Sequence, residues 1–256
     1  MRRTVIYFLS AAFILIVPFV SKAIEDDAMV LYYSFDEGKG KEVEDLSGKG
    51  NHGTLEANAK WEKDGKINSG VFFDEQIQKG VVAAPASDSL AITKSLTMEV
   101  WVYPESVGDY RNVRGQAGPH TYYLSIHQGK PSVWMGCPGA GGRTWNSAKS
   151  DIPTDKWSHV AAVYEFDKEL RLYINGKLDN TYILKGEIPV SQSDHWFGNR
   201  LDGAWPYGGK LDEFVIYNRV LTEDEIQQDM EQVLSVSPLD KAATTWGLLK
   251  SDRDVD

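Results

Sequence analysis

Residues 157–180, WSHVAAVYEFDKELRLYINGKLDN, constrain the fold more than any other stretch of the chain. They read as two strands and the start of a third. The first, Trp157 to Phe166, is apolar on both faces, and Asp167-Lys168 supplies a turn. The second, Glu169 to Asn175, alternates: Leu170, Leu172 and Ile174 point one way, and Glu169, Arg171, Tyr173 and Asn175 the other. A period of two marks a half-buried strand. Asn175-Gly176 then provides the pair of residues tolerant of positive φ that a tight hairpin needs. Two successive hairpins make an antiparallel meander with an apolar face. A meander of this kind is not stable alone, so the rest of the chain must supply a covering sheet.

The remaining segments fit that requirement. Met29 to Phe35 reads as a strand with Leu31, Tyr33 and Phe35 on one side, followed by a turn-rich loop carrying Gly38, Gly40, Gly48 and Gly50. Short strands are expected at Gly53–Leu55, Gly70–Asp74 and Gly80–Ala84, bounded by turn residues. Ser95 to Tyr103 alternates Met98, Val100 and Val102 against Thr97, Glu99, Trp101 and Tyr103, and Pro104 stops it. Glu105 to His120 reads as a long loop, Thr121–His127 and Pro131–Gly136 as a hairpin, and Cys137 to Asp155 as a second long loop. A strand near His195–Asn199, a third loop over Arg200–Gly208 and a final strand, Gly209–Tyr217, complete the series. Thr222 with Glu225 three residues later forms a capping box and opens a single C-terminal helix ending near Leu234. No repeats are visible.

A chain of 256 residues, 42% hydrophobic and 25% charged, suits one all-β domain of generous size. The lone Cys137 excludes an internal disulfide. A net charge of −10, with no basic run beyond the first residues, argues against nucleic acid as a partner. Residues 1–23 read as a secretory signal peptide: Arg2 and Arg3, an apolar run from Val5 to Val20, and Ser21-Lys22-Ala23 as the cleavage site. The rival reading is an uncleaved membrane anchor. Residues 24–234 then form the domain and 235–256 a C-terminal tail. No second stretch is apolar enough to span a membrane in the mature chain, which is expected to be secreted, extracellular or in the cell envelope.

W-x-H-V-A-x-x-Y at Trp157–Tyr164 and L-x-L-Y-I-N-G-K at Leu170–Lys177 resemble the centre of laminin-G-like, concanavalin-A-like jelly-roll domains. Residues 32–55, 95–104 and 208–226 match the expected order, so the resemblance covers roughly residues 29–233. It implies an all-β, antiparallel two-sheet β-sandwich. The fold hosts lectins, glycanases and adhesion modules alike, so function must be argued from the site.

Jelly-roll glycosidases need two carboxylates flanking a bond, commonly as E-x-D-x-x-E on one strand. This chain has no such motif: Glu99 stands alone, and the adjacent Asp212 and Glu213 point to opposite faces of a regular strand. The histidines lack H-E-x-x-H spacing, and nothing marks an activating partner for Cys137. No enzymatic activity is expected. A metal is more in keeping with the residues. On the last strand Asp212 shares the face of Phe214 and Ile216, and a carboxylate there needs hydrogen bonds or a cation. First and last strands lie side by side in jelly rolls, which brings Asp36 near Asp212; the loop ending at Gly53 adds carbonyls and the Asn51 side chain. Oxygen ligands of this kind suit calcium, which the resemblance also implies, in a structural role. The alternative is that Asp36 and Asp45 brace turns.

If the apolar sets face the core, the opposite faces carry Trp101, Tyr103, Tyr123, Trp134 and Tyr173, with Glu99, His127 and Arg171 as polar neighbours. Sugar rings stack on such aromatics. The alternative is a satellite cluster packed beneath the long loops. Trp145 and Trp205, in glycine-rich loops, are candidate rim contacts. The sequence therefore points to a non-catalytic recognition domain for a glycan or an extracellular protein, a surface-assembly module being the second reading and a glycoside hydrolase the third.

Overall fold

In a computed structural model of the protein, the described residues are 26–57, 59–76, 81–116, 121–137, 145–199 and 203–233. Both the signal peptide read at 1–23 and the tail read at 235–256 lie outside them. Among the described residues the strands are β1 (Met29–Tyr33), β2 (Glu42–Val43), β3 (Gly53–Glu56), β4 (Lys60–Glu62), β5 (Gly70–Phe73), β6 (Val81–Ala84), β7 (Leu96–Pro104), β8 (Arg111–Gln116), β9 (Tyr122–His127), β10 (Lys130–Met135), β11 (Trp145–Ser147), β12 (Ser158–Glu165), β13 (Glu169–Ile174), β14 (Lys177–Ile183), β15 (His195–Phe197) and β16 (Gly209–Tyr217); the helix α1 is Glu223–Val233.

The strands form two antiparallel sheets. The first has the order β14-β13-β12-β7-β16-β5-β4, with β1 beside β16. The second has the order β11-β10-β9-β8-β15-β6-β3-β2. This is the expected jelly-roll sandwich. The meander that opened the sequence reading is β12-β13-β14, and its turn carries Asn175 and Gly176 at φ 50° and 73°.

Alternation builds the core between the sheets. Met98, Val100, Leu170 and Leu172 come from one side, and Leu124, Ile126, Val133 and Phe197 from the other, all without exposure. Full burial of such a side chain contributes roughly 1.5–3 kcal/mol. On the outer face of the first sheet, Ala161, Val163, Tyr173, Val215 and Tyr217 pack with Leu221 and Ile226 at the start of α1. This second layer is why β12 is apolar on both faces. The helix opens as expected: the Thr222 hydroxyl accepts from the Glu225 N–H at 3.2 Å, and the Glu225 carboxylate accepts from the Thr222 N–H at 2.8 Å.

Three expectations are corrected. The span read as a loop from Glu105 to His120 contains β8, an inner strand of the second sheet. It escapes a hydrophobic pattern because its buried residues include Asn112, Arg114 and Gln116. The Arg114 guanidinium lies 3.7 Å over the Tyr122 ring and hydrogen-bonds the Tyr122 carbonyl and His195 Nδ1. Burial, with Arg114 adding, holds His195 well below the usual imidazole range, so it is neutral and can accept. The span Cys137–Asp155 likewise contains the short β11. Finally, Asp212 does not share a face with Phe214 and Ile216. A bulge in β16, with Glu213 at φ 50°, inserts a residue. Leu211, Phe214 and Ile216 enter the core, whereas Asp212 lies opposite Trp101 on the outer side.

Candidate functional site

The eight residues read as one binding surface are divided between two. β7 and β13 belong to the first sheet and β9 and β10 to the second, so their outward side chains point away from each other across the sandwich. Periodicity reveals which side chains alternate; it does not reveal which sheet a strand joins. On the first sheet Trp101 is 6% exposed beneath Lys66, whose Nζ sits 4.0 Å from its ring, and Tyr173 is buried under α1. Arg171 is held by Glu165 and Glu169, and Tyr103 packs against Trp157. These four do not form an open platform.

The outer face of the second sheet brings the others together. Tyr123 and Trp134 are cross-strand partners with rings 5.6 Å apart, edge to face. Tyr110, just before β8, stacks flush on His127, with centroids 4.1 Å apart and planes 6° apart. Trp145 lies 4.6 Å and Trp205 5.3 Å from Tyr110. Tyr110, His127, Trp145 and Trp205 are each half-buried, so their rings are held by neighbours while part of each meets solvent.

The backbone is specialised at both loop residues. Tyr110 and Trp205 have φ 30° and 60°, a region costly for large side chains and found where surrounding contacts impose it. Those contacts are visible. The Trp205 carbonyl accepts from the Asn112 N–H at 2.9 Å, and the Pro206 carbonyl accepts from Arg111 at 3.3 Å. Arg111 also meets Glu75 at 3.0 Å, and Ser106 donates to the same Glu75 oxygen. Gly108 O accepts from the Gln128 N–H at 2.8 Å, pinning the Tyr110 loop to the β9–β10 turn.

Between the ring-bearing positions runs a polar row. Asn112 pairs with Ser125, Ser125 with Ser132, and Ser132 with Ser147, crossing β8, β9, β10 and β11. Asn112, Ser125 and Ser132 are fully buried. The outward side chains of β9, β10 and β11 (Tyr123, Ser125, His127, Lys130, Ser132, Trp134, Trp145 and Ser147) include no carboxylate. Acids at the edge are paired: Asp109 faces His127 at 3.9 Å and Asp151 meets Lys130 at 2.9 Å. Sequence reasoning passed over Tyr110, Asn112 and Ser125, which sit in the misread loop or look like ordinary strand polars. It also passed over Trp196, a buried indole of β15 whose N–H has no acceptor among the described residues.

Of the four residues read as calcium ligands, two come together. β1 pairs with β16, and Asp36 and Asp212 both hold the 67–69 backbone: Asp212 accepts from Ile67 at 2.9 Å, Asp36 from Ser69 at 3.3 Å. Burial, with the charges of Glu213 and Asp36 adding to it, pushes the Asp212 carboxyl up to about 9. Glu213 accepts from the Tyr32 hydroxyl at 2.6 Å. Asn51 is engaged elsewhere. Its side-chain amide donates to the Val30 carbonyl and Ser89, its carbonyl accepts from Tyr33, and its N–H reaches Asp45. Gly53 packs on Val82 and Tyr33, where a Cβ would lie 2.9 Å from a Val82 methyl. Among the described residues no group of three or more His, Cys, Asp or Glu is placed to hold a metal ion.

Comparison with known proteins agrees with this architecture. The sequence model of the concanavalin A-like lectin/glucanases superfamily matches residues 76–227, more than half of the chain. Adhesion G-protein coupled receptor D1 of Homo sapiens is 33% identical over 87 residues, 32% of this chain and 10% of the receptor. The binding domain of Paraclostridial Mosquitocidal Protein 1 superposes with TM-score 0.66 at 18% identity, covering 79% of this chain and 51% of that one. Domain 4 of an extracellular arabinanase from Geobacillus stearothermophilus, solved with arabinotriose, superposes with TM-score 0.62 at 20% identity, covering 78% and 97%. At these identities the superpositions speak for the fold. The chain thus spans about half of the toxin domain and a small part of the receptor. No helix among the described residues is long and apolar enough to cross a membrane.

Proposed function

Since the chain belongs to the concanavalin A-like lectin/glucanase superfamily, we propose that it is a non-catalytic recognition domain that binds carbohydrate on the outer face of the second sheet. One observation carries this reading: Tyr110, His127, Trp145 and Trp205 converge on that face with ring centroids 4.1–6.0 Å apart, half-buried, beside a row of neutral polar side chains. Aromatic faces accept the C–H faces of sugars, and hydroxyl and amide groups fix their orientation. Glycosidic hydrolysis uses two carboxylates about 5–10 Å apart; β9–β11 offer none to this face. The arabinotriose held by the arabinanase domain supports a glycan, and the adhesion receptor supports the alternative of an extracellular protein ligand. A secreted or cell-envelope location accords with both and with the leader-like residues 1–23.

A structural calcium belongs to the same proposal. Asp36 and Asp212 fit as ligands, because a cation would neutralise a buried carboxylate whose close neighbours are acidic. Asn51 and Gly53 do not fit, since their hydrogen bonds and packing are directed elsewhere.

Glycan-array screening followed by calorimetry tests the binding reading. Trp205→Ala should weaken binding by about 30-fold, the effect of truncating a central aromatic anchor at about 2 kcal/mol. A wild-type protein that binds no glycan but captures an extracellular protein partner would transfer the face to the adhesion reading.

A further inference from the structure

The polar row between the ring-bearing positions contains two atoms that the fold leaves unused. Ser125 Oγ and Asn112 Oδ1 are buried, and neither has a hydrogen-bond partner among the described residues. Most buried polar side chains find a partner, and leaving one without costs about 1–3 kcal/mol, so each such atom calls for an explanation. These two are neighbours, because Asn112 and Ser125 are directly paired across β8 and β9. Asn112 is also oriented. Its Nδ2 donates to the Asn199 carbonyl at 2.9 Å, which turns Oδ1 away from that contact. Glycine at 115 leaves no side chain against the oxygen, which sits close to the Tyr123 ring: a Cβ there would lie 2.9 Å from Oδ1 and 2.8 Å from that ring.

The surroundings say what would meet these atoms. Ser125 lies between Tyr123 and His127 on one face of β9, and its partner Ser132 lies between Lys130 and Trp134 on β10. The row is therefore bracketed by the Tyr123–Trp134 pair on one side and the Tyr110–His127 stack on the other. A fixed acceptor and a hydroxyl, side by side between aromatic rings and with no charge of their own, match vicinal sugar hydroxyls: one donates to Asn112 Oδ1 and the next exchanges a hydrogen bond with Ser125 Oγ. Both atoms are sealed in this structure. Of the rings around them, Tyr110 stands on the loop before β8 instead of on a strand, and its φ of 30° is a strained conformation that movement would relieve.

We propose that Asn112 and Ser125 are the hydroxyl-reading floor of the site, exposed when Tyr110 lifts from His127, and that they select a ligand presenting adjacent free hydroxyls. The inference rests on the carbohydrate reading above and assigns its specificity. Calorimetry with the tightest binder from an array of neutral oligosaccharides that includes arabinotriose provides the test. Ser125→Ala should weaken binding at least tenfold while Tm stays level or rises, because the hydroxyl removed has no partner among the described residues. Asn112→Ala should weaken binding similarly. A glycan lacking the hydroxyl that meets Ser125 should bind wild type and Ser125→Ala alike. In NMR spectra, the upfield ring-current shift imposed on His127 by the Tyr110 stack should collapse at saturation. If Trp205→Ala abolishes binding but Ser125→Ala and Asn112→Ala bind within twofold of wild type, the floor is wrong and the carbohydrate reading stands. If the His127 shift is unchanged at saturation, the rings do not open and the floor is not reached. If wild type binds no member of the array, the carbohydrate reading fails and this inference fails with it.

Discussion

His159 should be neutral in the folded protein down to about pH 4, and this makes it a source of acid lability. The ring is 3% exposed on the outer face of the first sheet. Its Nε2 is 3.5 Å from Glu99 Oε2, its ring and that of Trp101 meet edge to face at 5.3 Å, and its Nδ1 has no partner among the described residues. Burial pushes its pKa from 6.5 to about 4; Asp229 on α1 opposes the shift and Lys66 adds to it. The unfolded chain therefore takes up the proton at higher pH than the folded one. Stability from this group is fully present above 6.5 and is lost as pH falls through the interval to about 4. At about 1.4 kcal/mol per unit, the loss is on the order of 3 kcal/mol. Glu99 and Asp229 act with the opposite sign. Burial raises both carboxyls, so their contribution is present at low pH and lost as pH rises. The total pH profile mixes these effects, and the histidine is isolated by comparison with His159→Gln. Urea denaturation at about pH 7 and about pH 4 should show wild type losing about 3 kcal/mol more than the variant. The His159 ring resonances should titrate with a midpoint below about 5. A midpoint near the ordinary imidazole value, or a wild-type-to-variant difference that does not change with pH, would refute the argument from burial.

Other outcomes follow from the same coordinates. Leu172→Ala, at a core position with no exposure, should cost about 2–5 kcal/mol in urea denaturation, and a loss below about 1 kcal/mol would contradict its placement between the sheets. Thr222→Ala breaks the capping box and should cost about 0.5–2 kcal/mol; an unchanged Tm would show that the packing of Ile226 alone holds the helix start. EDTA should lower the Tm of wild type but not of Asp212→Asn, with calcium contributing about 2.7 kcal/mol at a hundredfold excess over Kd. Equal melting of wild type with and without chelator would remove the metal from Asp36 and Asp212.

What the sequence discloses and what it hides have physical causes. The core was legible wherever one face of a strand is apolar, as in β7, β9 and β13, because alternation reports burial directly. β8 was hidden because polar groups fill its buried positions: Arg114 rests on Tyr122 and His195 instead of on aliphatic neighbours. The bulge at Glu213 was hidden because a non-glycine residue takes the positive φ, leaving no glycine to announce it. His127, Tyr123 and Trp134 are legible as candidates by their type and outward phase, and Trp205 by its place in a glycine-rich loop. Their separation from Trp101 and Tyr173 depends on strand order, which local periodicity does not encode. Tyr110 and Asn112 became visible only with the fold, since their roles come from Trp145, Trp205 and Ser125, all distant in sequence.

The pairing of β1 with β16 has a mechanical consequence. Met29, where the chain enters the sandwich, lies directly opposite Tyr217, where it leaves. Asp26 and Arg219, just outside these positions, clasp each other at 2.6 and 2.9 Å, and Arg219 reaches on to Glu225 of α1 at 2.8 Å. A module whose incoming and outgoing strands are neighbours can be spliced into a surface loop of another protein without prying that loop apart. The same geometry sets how it yields to tension. Force applied between the two points would unzip β1 from β16 one rung at a time instead of shearing the whole ladder at once. The Asp26–Arg219 clasp is the first contact to bear the load, and its loss would let β1 peel away.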